Sequence, residues 1–115
     1  MAEQAKILLG AICYVMGVIS SRHFKDAKAL ALKTLPVARR VLGNAHEYTL
    51  RMRALCAEAL HHDPAATLDD LREAVTTLEE IERTARRVLG GAHPHIEGIE
   101  EDLQSARAAL RARET

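Results

Sequence analysis

Apolar residues recur every three or four positions along most of the chain, which is the spacing of helices that bury one face. In the second half, this stripe consists of Leu71, Ala74, Val75, Leu78, Ile81, Ala85 and Val88. Charged residues occupy the positions between them, as on a solvated face. Thr67 is a suitable N-cap for this helix, and Gly90 with Gly91 is a suitable stop.

The first half carries a similar stripe, which runs from Phe24 to Leu42 and stops at Gly43. Pro36 lies inside it, removes one backbone donor and predicts a kink near Leu32. The stripe therefore predicts a second long helix with an interruption in its hydrogen bonding.

A more apolar helix is predicted before each of these two, at about 2–17 and about 49–60. A fifth helix is predicted after Pro94, because proline suits a first helical turn. Its apolar stripe is Ile96, Ile99, Leu103, Ala106 and Leu110, and its remaining positions are mostly polar. Such a polar helix is typical of the cap that ends a helical repeat array.

The two halves are copies of one unit. Residues 38–46 recur at 85–93 with eight of nine positions identical, at an offset of 47. The pattern predicts one all-α domain of two antiparallel helical hairpins, 1–47 and 48–94, with a capping helix at 95–115.

Composition agrees with a helical fold and limits the classes of function. The chain has 115 residues, of which 48% are hydrophobic and only 3% aromatic, so a β-sandwich or barrel is disfavoured. Residues 1–57 hold nine basic and three acidic side chains, a balance of +6, and 58–115 hold seven and thirteen, a balance of −6. Because the chain is neutral and its lysines and arginines are scattered, we expect no nucleic-acid partner. The opposite charges of its two halves favour an oriented contact with a charged protein.

Residues 7–19 are an unbroken run of thirteen apolar residues or glycines. A bilayer needs about 20 residues, so we expect a core helix and no transmembrane span. The segment is also a poor signal peptide, because the charge of Lys6 before the apolar run is offset by Glu3 and residues 20–23 make a poor cleavage site. This favours a cytoplasmic location, with an organelle lumen or stroma as the alternative. Because this helix is apolar on nearly every side, we expect Leu8 and Val15 to lie on an exposed face that something covers.

No catalytic, cofactor-binding or metal-binding group is predicted. Cys13 and Cys56 lie in apolar runs and are expected to be buried, reduced thiols. The clusters at 61–63 and 93–95 contain histidines, but neither has the spacing of a tetrahedral zinc site. His46 and His93 recur with the loop, which favours a capping or packing role. We therefore expect no enzyme.

The loop sequence Val-Leu-Gly-x-x-His, at 41–46 and again at 88–93 with Pro94 after the second copy, resembles the tetratricopeptide repeats of kinesin light chains. The Leu9-Gly10 pair with Gly17, and Ala27 and Ala74 in the second helices, also match that repeat. Each unit here is about five residues longer, and Glu47 stands where the family has proline. The resemblance implies a right-handed array of hairpins.

In such repeats the first helix of each unit lines a groove that binds an extended peptide. Carried over by register and combined with the apolar first helix, the resemblance implies a set of partner-binding residues: Gln4, Ile7, Leu8, Tyr14, Val15, Arg51, Glu58, His61, His62 and Glu101. Ala11 and Glu58 stand where chaperone-binding members need asparagine, so a C-terminal carboxylate ligand is disfavoured.

The sequence thus predicts a non-enzymatic protein-interaction module, an adaptor or scaffold. The alternative is a small structural subunit that is fixed permanently in a larger assembly through its N-terminal helix. In either case the partner is a protein, a peptide or a second copy of the chain.

Overall fold

The computed structural model describes residues 2–114, apart from the side chains of residues 2 and 95. These residues form five helices and no strand, which confirms the all-α prediction. The helices are α1 (Ala2–Ser20), α2 (Phe24–Leu42), α3 (Glu47–His62), α4 (Leu68–Leu89) and α5 (Pro94–Glu114).

The ends of α4 are fixed as the sequence predicts. The Thr67 hydroxyl accepts a hydrogen bond from the Asp70 backbone N–H at 3.1 Å, and the Asp70 carboxylate accepts one from the Thr67 N–H at 3.0 Å. This reciprocal capping box satisfies two donors at the start of the helix. At the other end, Gly90 has φ 87°, which favours glycine, and its N–H donates to the Arg86 carbonyl. Gly43 ends α2 in the same conformation, with φ 91°.

Two helices are longer than predicted. Helix α1 continues through Gly17 to Ser20, because a glycine that faces open space costs a helix only about 1 kcal/mol. Helix α3 begins at Glu47 because His46 acts as its N-cap, with Nδ1 accepting a hydrogen bond from the Tyr48 N–H at 3.0 Å. This observation confirms the capping role predicted for His46.

Helix α3 is the centre of the fold, and it contacts each of the other four helices. Helix α1 packs on α2 and α3, and α5 packs on α4 and α3. Two hydrophobic clusters result, one where α3 meets α1 and α2, and one where it meets α4 and α5. Ion pairs also join neighbouring helices: Arg53 with Glu80 at 3.1 Å across α3 and α4, and Arg107 with Glu79 at 2.9 Å across α4 and α5.

Helix α1 buries one line of side chains, Leu8, Ile12, Val15 and Ile19, of which Leu8 is 4% and Val15 1% exposed. The expectation that Leu8 and Val15 face outward is therefore wrong. The line lies against α2 and α3, and a helix whose sequence is apolar all round does not reveal which line will be chosen. On other sides of α1, Ile7 and Tyr14 remain about two-thirds exposed.

Candidate functional site

A cleft of about 280 Å³ lies along α3, between the C-terminal end of α1 and the N-terminal part of α5. Its apolar lining comes from all three helices and from the last residue of α4: Met16, Ile19, Leu50, Ala54, Leu55, Leu89 and Ile99. Its charged lining consists of Glu47, Arg51 and Glu58 from α3, and Glu101 and Asp102 from α5. Helical periodicity explains the set from α3, since positions 47, 51, 54 and 58 recur on one face.

The cleft carries four carboxylates and one guanidinium, so its formal balance is −3 with every group ionised. Loss of solvation raises the pKa of Asp102 to about 6, with repulsion from Glu58 and Glu101 adding to the effect; His62 and Arg51 act in the opposite direction. Loss of solvation also raises the pKa of Glu58, which Arg51 partly offsets. These carboxylates thus lie in a setting that disfavours their charged forms.

Arg51 does not neutralise its neighbours through an ion pair. Its Nη2 lies 3.5 Å from the Met16 sulfur, where it bridges α3 and α1. Among the residues that the structure describes, Glu58, Glu101 and Asp102 take part in none of the ion pairs within 4 Å. Within the described residues, the charges of Glu58, Glu101 and Asp102 are therefore uncompensated at contact distance.

The predicted groove residues separate into four places. Arg51, Glu58 and Glu101 do line the cleft. Gln4, Ile7 and Tyr14 are exposed on α1 outside it, with Tyr14 on a shallow groove towards α2. Leu8 and Val15 belong to the core, and His61 and His62 lie beyond the end of the cleft on α3. Glu47 and Asp102 were not predicted; Asp102 follows Glu101, but the sequence does not show how α5 is rotated against α3.

His61 is a buried polar residue with an unsatisfied atom. It is 6% exposed, and within the described part of the chain its Nε2 has no hydrogen-bond partner. Burial, reinforced by His62, lowers its pKa to about 4. Its ring lies 4.1 Å from that of His62, centroid to centroid, and the His62 ring stacks on Phe24 at 6.3 Å. His61 is therefore neutral near pH 7.

The remaining candidates for chemistry are the histidine clusters and the two thiols. Nowhere in the described residues do three or more His, Cys, Asp or Glu groups come together in a way that could hold a metal ion. The side chain of His95, in the second histidine cluster, lies outside the described residues. Cys56 is half-buried, and desolvation raises the pKa of its thiol, which keeps it protonated. Cys13 is exposed, so the prediction that both thiols are buried is wrong for Cys13.

The two exposed flanks of α1 carry further apolar side chains. Ile7 and Tyr14 are 66% and 65% exposed, and Leu9 and Met16 are 42% and 38% exposed. By length and composition, the segment Glu3–Ser20 is also apolar enough to cross a membrane. Core helices of soluble proteins and signal sequences pass the same test, so this property does not decide the role of α1.

Comparisons with protein families, with characterised proteins and with solved structures find no match to this chain.

Proposed function

We propose that this chain is a non-enzymatic protein-interaction module, built as a short tetratricopeptide-like array, and that the cleft along α3 binds a peptide segment of its partner. In this arrangement α1 with α2 and α3 with α4 are the two hairpins, and α5 is the cap. The contact pattern supports it: α3 touches both α1 and α5, whereas α2 and α4 do not touch each other in the described structure. The first helices would then line one common surface.

The position of the cleft carries the proposal. It lies where α1, α3 and α5 meet, which is the surface that tetratricopeptide-like stacking would give to a ligand. An apolar floor with a few charged groups is typical of a binding site.

Selection from a peptide-display library tests this function, with Gly98→Phe as the blocking variant. Gly98 lines the cleft, and a Cβ built on it meets no atom within 4 Å, so a phenylalanine fills the cleft without a clash at Cβ. Gly10→Phe is the matched control, because Gly10 is an exposed helical glycine with the same open space outside the cleft. We expect selected peptides to bind the wild type and Gly10→Phe but not Gly98→Phe. Peptides that bind all three proteins equally would contradict the proposal.

The exposed side of α1 favours a second candidate function, a subunit held in an assembly by this helix, either with a second copy or with another protein. Four large apolar side chains on one helix, Ile7, Leu9, Tyr14 and Met16, are more than a third exposed. Ile7 and Tyr14 lie on one flank of the buried line of α1, and Leu9 and Met16 lie on the opposite flank, where Met16 lines the cleft. The flank with Ile7 and Tyr14 is the exposed apolar surface that such a contact would cover. Light scattering over a range of concentrations tests self-association. Self-association through α1 is supported if the wild type associates while an Ile7→Glu, Tyr14→Glu double variant is monomeric with unchanged helix content. A monomeric wild type would refute self-association.

A further inference from the structure

The cleft has an unusual combination of an apolar floor and uncompensated negative charge. Leu50, Ala54 and Ile99 provide apolar lining, while Glu58 and Asp102 carry carboxylates that form no ion pair within the described structure. Among the described lining residues Arg51 is the one basic side chain, and its guanidinium contacts the Met16 sulfur. Glu58 and Asp102 therefore have no cation at contact distance among the residues that the structure describes.

The chemistry of the lining selects among ligands. A phosphate or an acidic segment would be repelled by the neighbouring carboxylates of Glu58, Glu101 and Asp102. A metal ion is also disfavoured, because these carboxylates are not grouped in a way that could hold one. A lysine or arginine side chain fits both parts of the site, since its aliphatic stem packs on apolar surface while its charged end reaches a carboxylate.

We propose that the cleft binds a basic segment of a partner protein, with a lysine or arginine side chain lying over Leu50 and Ile99 and its charged end between Glu58 and Asp102. This inference rests on the proposed function and names the class of partner for the same cleft. Glu101 lies beside the pair and adds to the negative field. An apolar residue next to the basic one would cover the remaining floor.

The titration of Asp102 supports this assignment. Loss of solvation, Glu58 and Glu101 raise its pKa to about 6, while His62 and Arg51 lower it. Glu47 is the other carboxylate in the described lining. A bound cation stabilises the ionised carboxylate, so binding releases a proton wherever free Asp102 is protonated. Affinity should accordingly rise by about tenfold between about pH 5 and about pH 7.

The test uses three fluorescent synthetic peptides of equal length, which alternate leucine with lysine, with acetyl-lysine or with glutamate. Acetylation keeps the length of the side chain and removes its charge. Fluorescence anisotropy measures their affinity for the full chain. We expect the lysine peptide to bind at least about tenfold more tightly than the other two. Equal or tighter binding of the acetyl-lysine or glutamate peptide would overturn the proposal.

A pair of matched double variants locates the effect. Glu58→Gln with Asp102→Asn removes two charges from the cleft, and Glu73→Gln with Glu114→Gln removes two from exposed positions elsewhere. We expect the cleft variant to lose about tenfold or more in affinity for the lysine peptide and to lose the pH dependence. The control should change by less than about twofold. Equal losses in the two variants would mean a nonspecific attraction and refute the site.

Gly98→Phe separates failure of the partner class from failure of the proposed function. If Gly98→Phe abolishes binding of library peptides that carry no basic residue, the cleft binds peptides but the basic class is wrong. If Gly98→Phe changes the binding of no peptide, the cleft is not a binding site and both statements fail. Circular dichroism of each variant checks that the helix content is retained.

Discussion

The free energy of unfolding should respond to pH in opposite directions in two variants, His61→Leu and Asp102→Asn. His61 is buried and its pKa is lowered to about 4 from 6.5, whereas the pKa of Asp102 is raised to about 6 from 3.8. Between pH 4 and pH 6.5, the unfolded chain binds a proton at His61 that the folded chain does not. At Asp102 the folded chain binds the extra proton.

The signs follow from proton linkage. The contribution of His61 to stability is present above pH 6.5 and is lost as the pH falls towards 4. The contribution of Asp102 is present below pH 3.8 and is lost as the pH rises through about 6. At about 1.4 kcal/mol per pH unit, acidification from about pH 7 to about pH 5 costs about 2 kcal/mol at His61. The same acidification raises the free energy of unfolding by about 1 kcal/mol through Asp102, after allowance for the partial exposure of that carboxylate.

Urea denaturation followed by circular dichroism, at several pH values between about 5 and 7, measures these terms as differences from the wild type. Relative to the wild type, His61→Leu should gain about 2 kcal/mol on acidification, and Asp102→Asn should lose about 1 kcal/mol. Leucine should also stabilise the protein near pH 7, because it removes a buried Nε2 that has no partner in the described structure. If both variants keep the wild-type pH profile, His61 is not held neutral by burial and the reasoning fails.

Three other predictions concern the core, the cap and the thiols. Leu78→Ala should lower the free energy of unfolding by about 2–5 kcal/mol, because Leu78 is 0% exposed. Val88→Ala is the control: at a 47% exposed site it should cost well under about 1 kcal/mol, as is usual for surface substitutions. Thr67→Ala should cost about 1 kcal/mol through loss of the capping box, measured by urea denaturation; no loss would place the start of α4 elsewhere. A maleimide reagent should label exposed Cys13 much faster than Cys56, whose thiol pKa is raised, as mass spectrometry of the digested chain would show; equal rates would contradict the packing of α3.

The elements of the fold were predictable where a local signal exists. Two local signals fix helix ends without contacts from the rest of the fold. One is Thr67 with an acidic residue at the third helical position, and the other is glycine at positions 43 and 90. The three-to-four-residue period of apolar positions in α4 also identified most of its buried face, since Leu71, Ala74, Leu78, Ile81 and Ala85 are all buried. The prediction is wrong for Val88, which lies near the end of the helix and is 47% exposed.

The orientation of α1 was not predictable, for a physical reason. Residues 7–19 contain no charge, so every face costs nearly the same to bury and the sequence does not distinguish Leu8 and Val15 from Ile7 and Tyr14. The packing against α2 and α3 makes that choice. Arg51, Glu58 and Glu101, which the resemblance implied for one groove, all line the cleft. Asp102 joins them because of how α5 is rotated about its own axis, and that rotation depends on tertiary packing.

The central position of α3 has a consequence for how the molecule comes apart. Leu50, Ala54 and Leu60 belong to the cluster shared with α4 and α5, while Met52 and Leu55 on the same helix belong to the cluster shared with α1 and α2. Neither cluster can lose α3 without the other losing it too. Heat or denaturant should therefore melt the chain in one cooperative step rather than unit by unit. A chain cut in the loop before α3 would leave the first fragment with the buried sides of α1 and α2 uncovered, so that fragment should not fold until the remainder is added back.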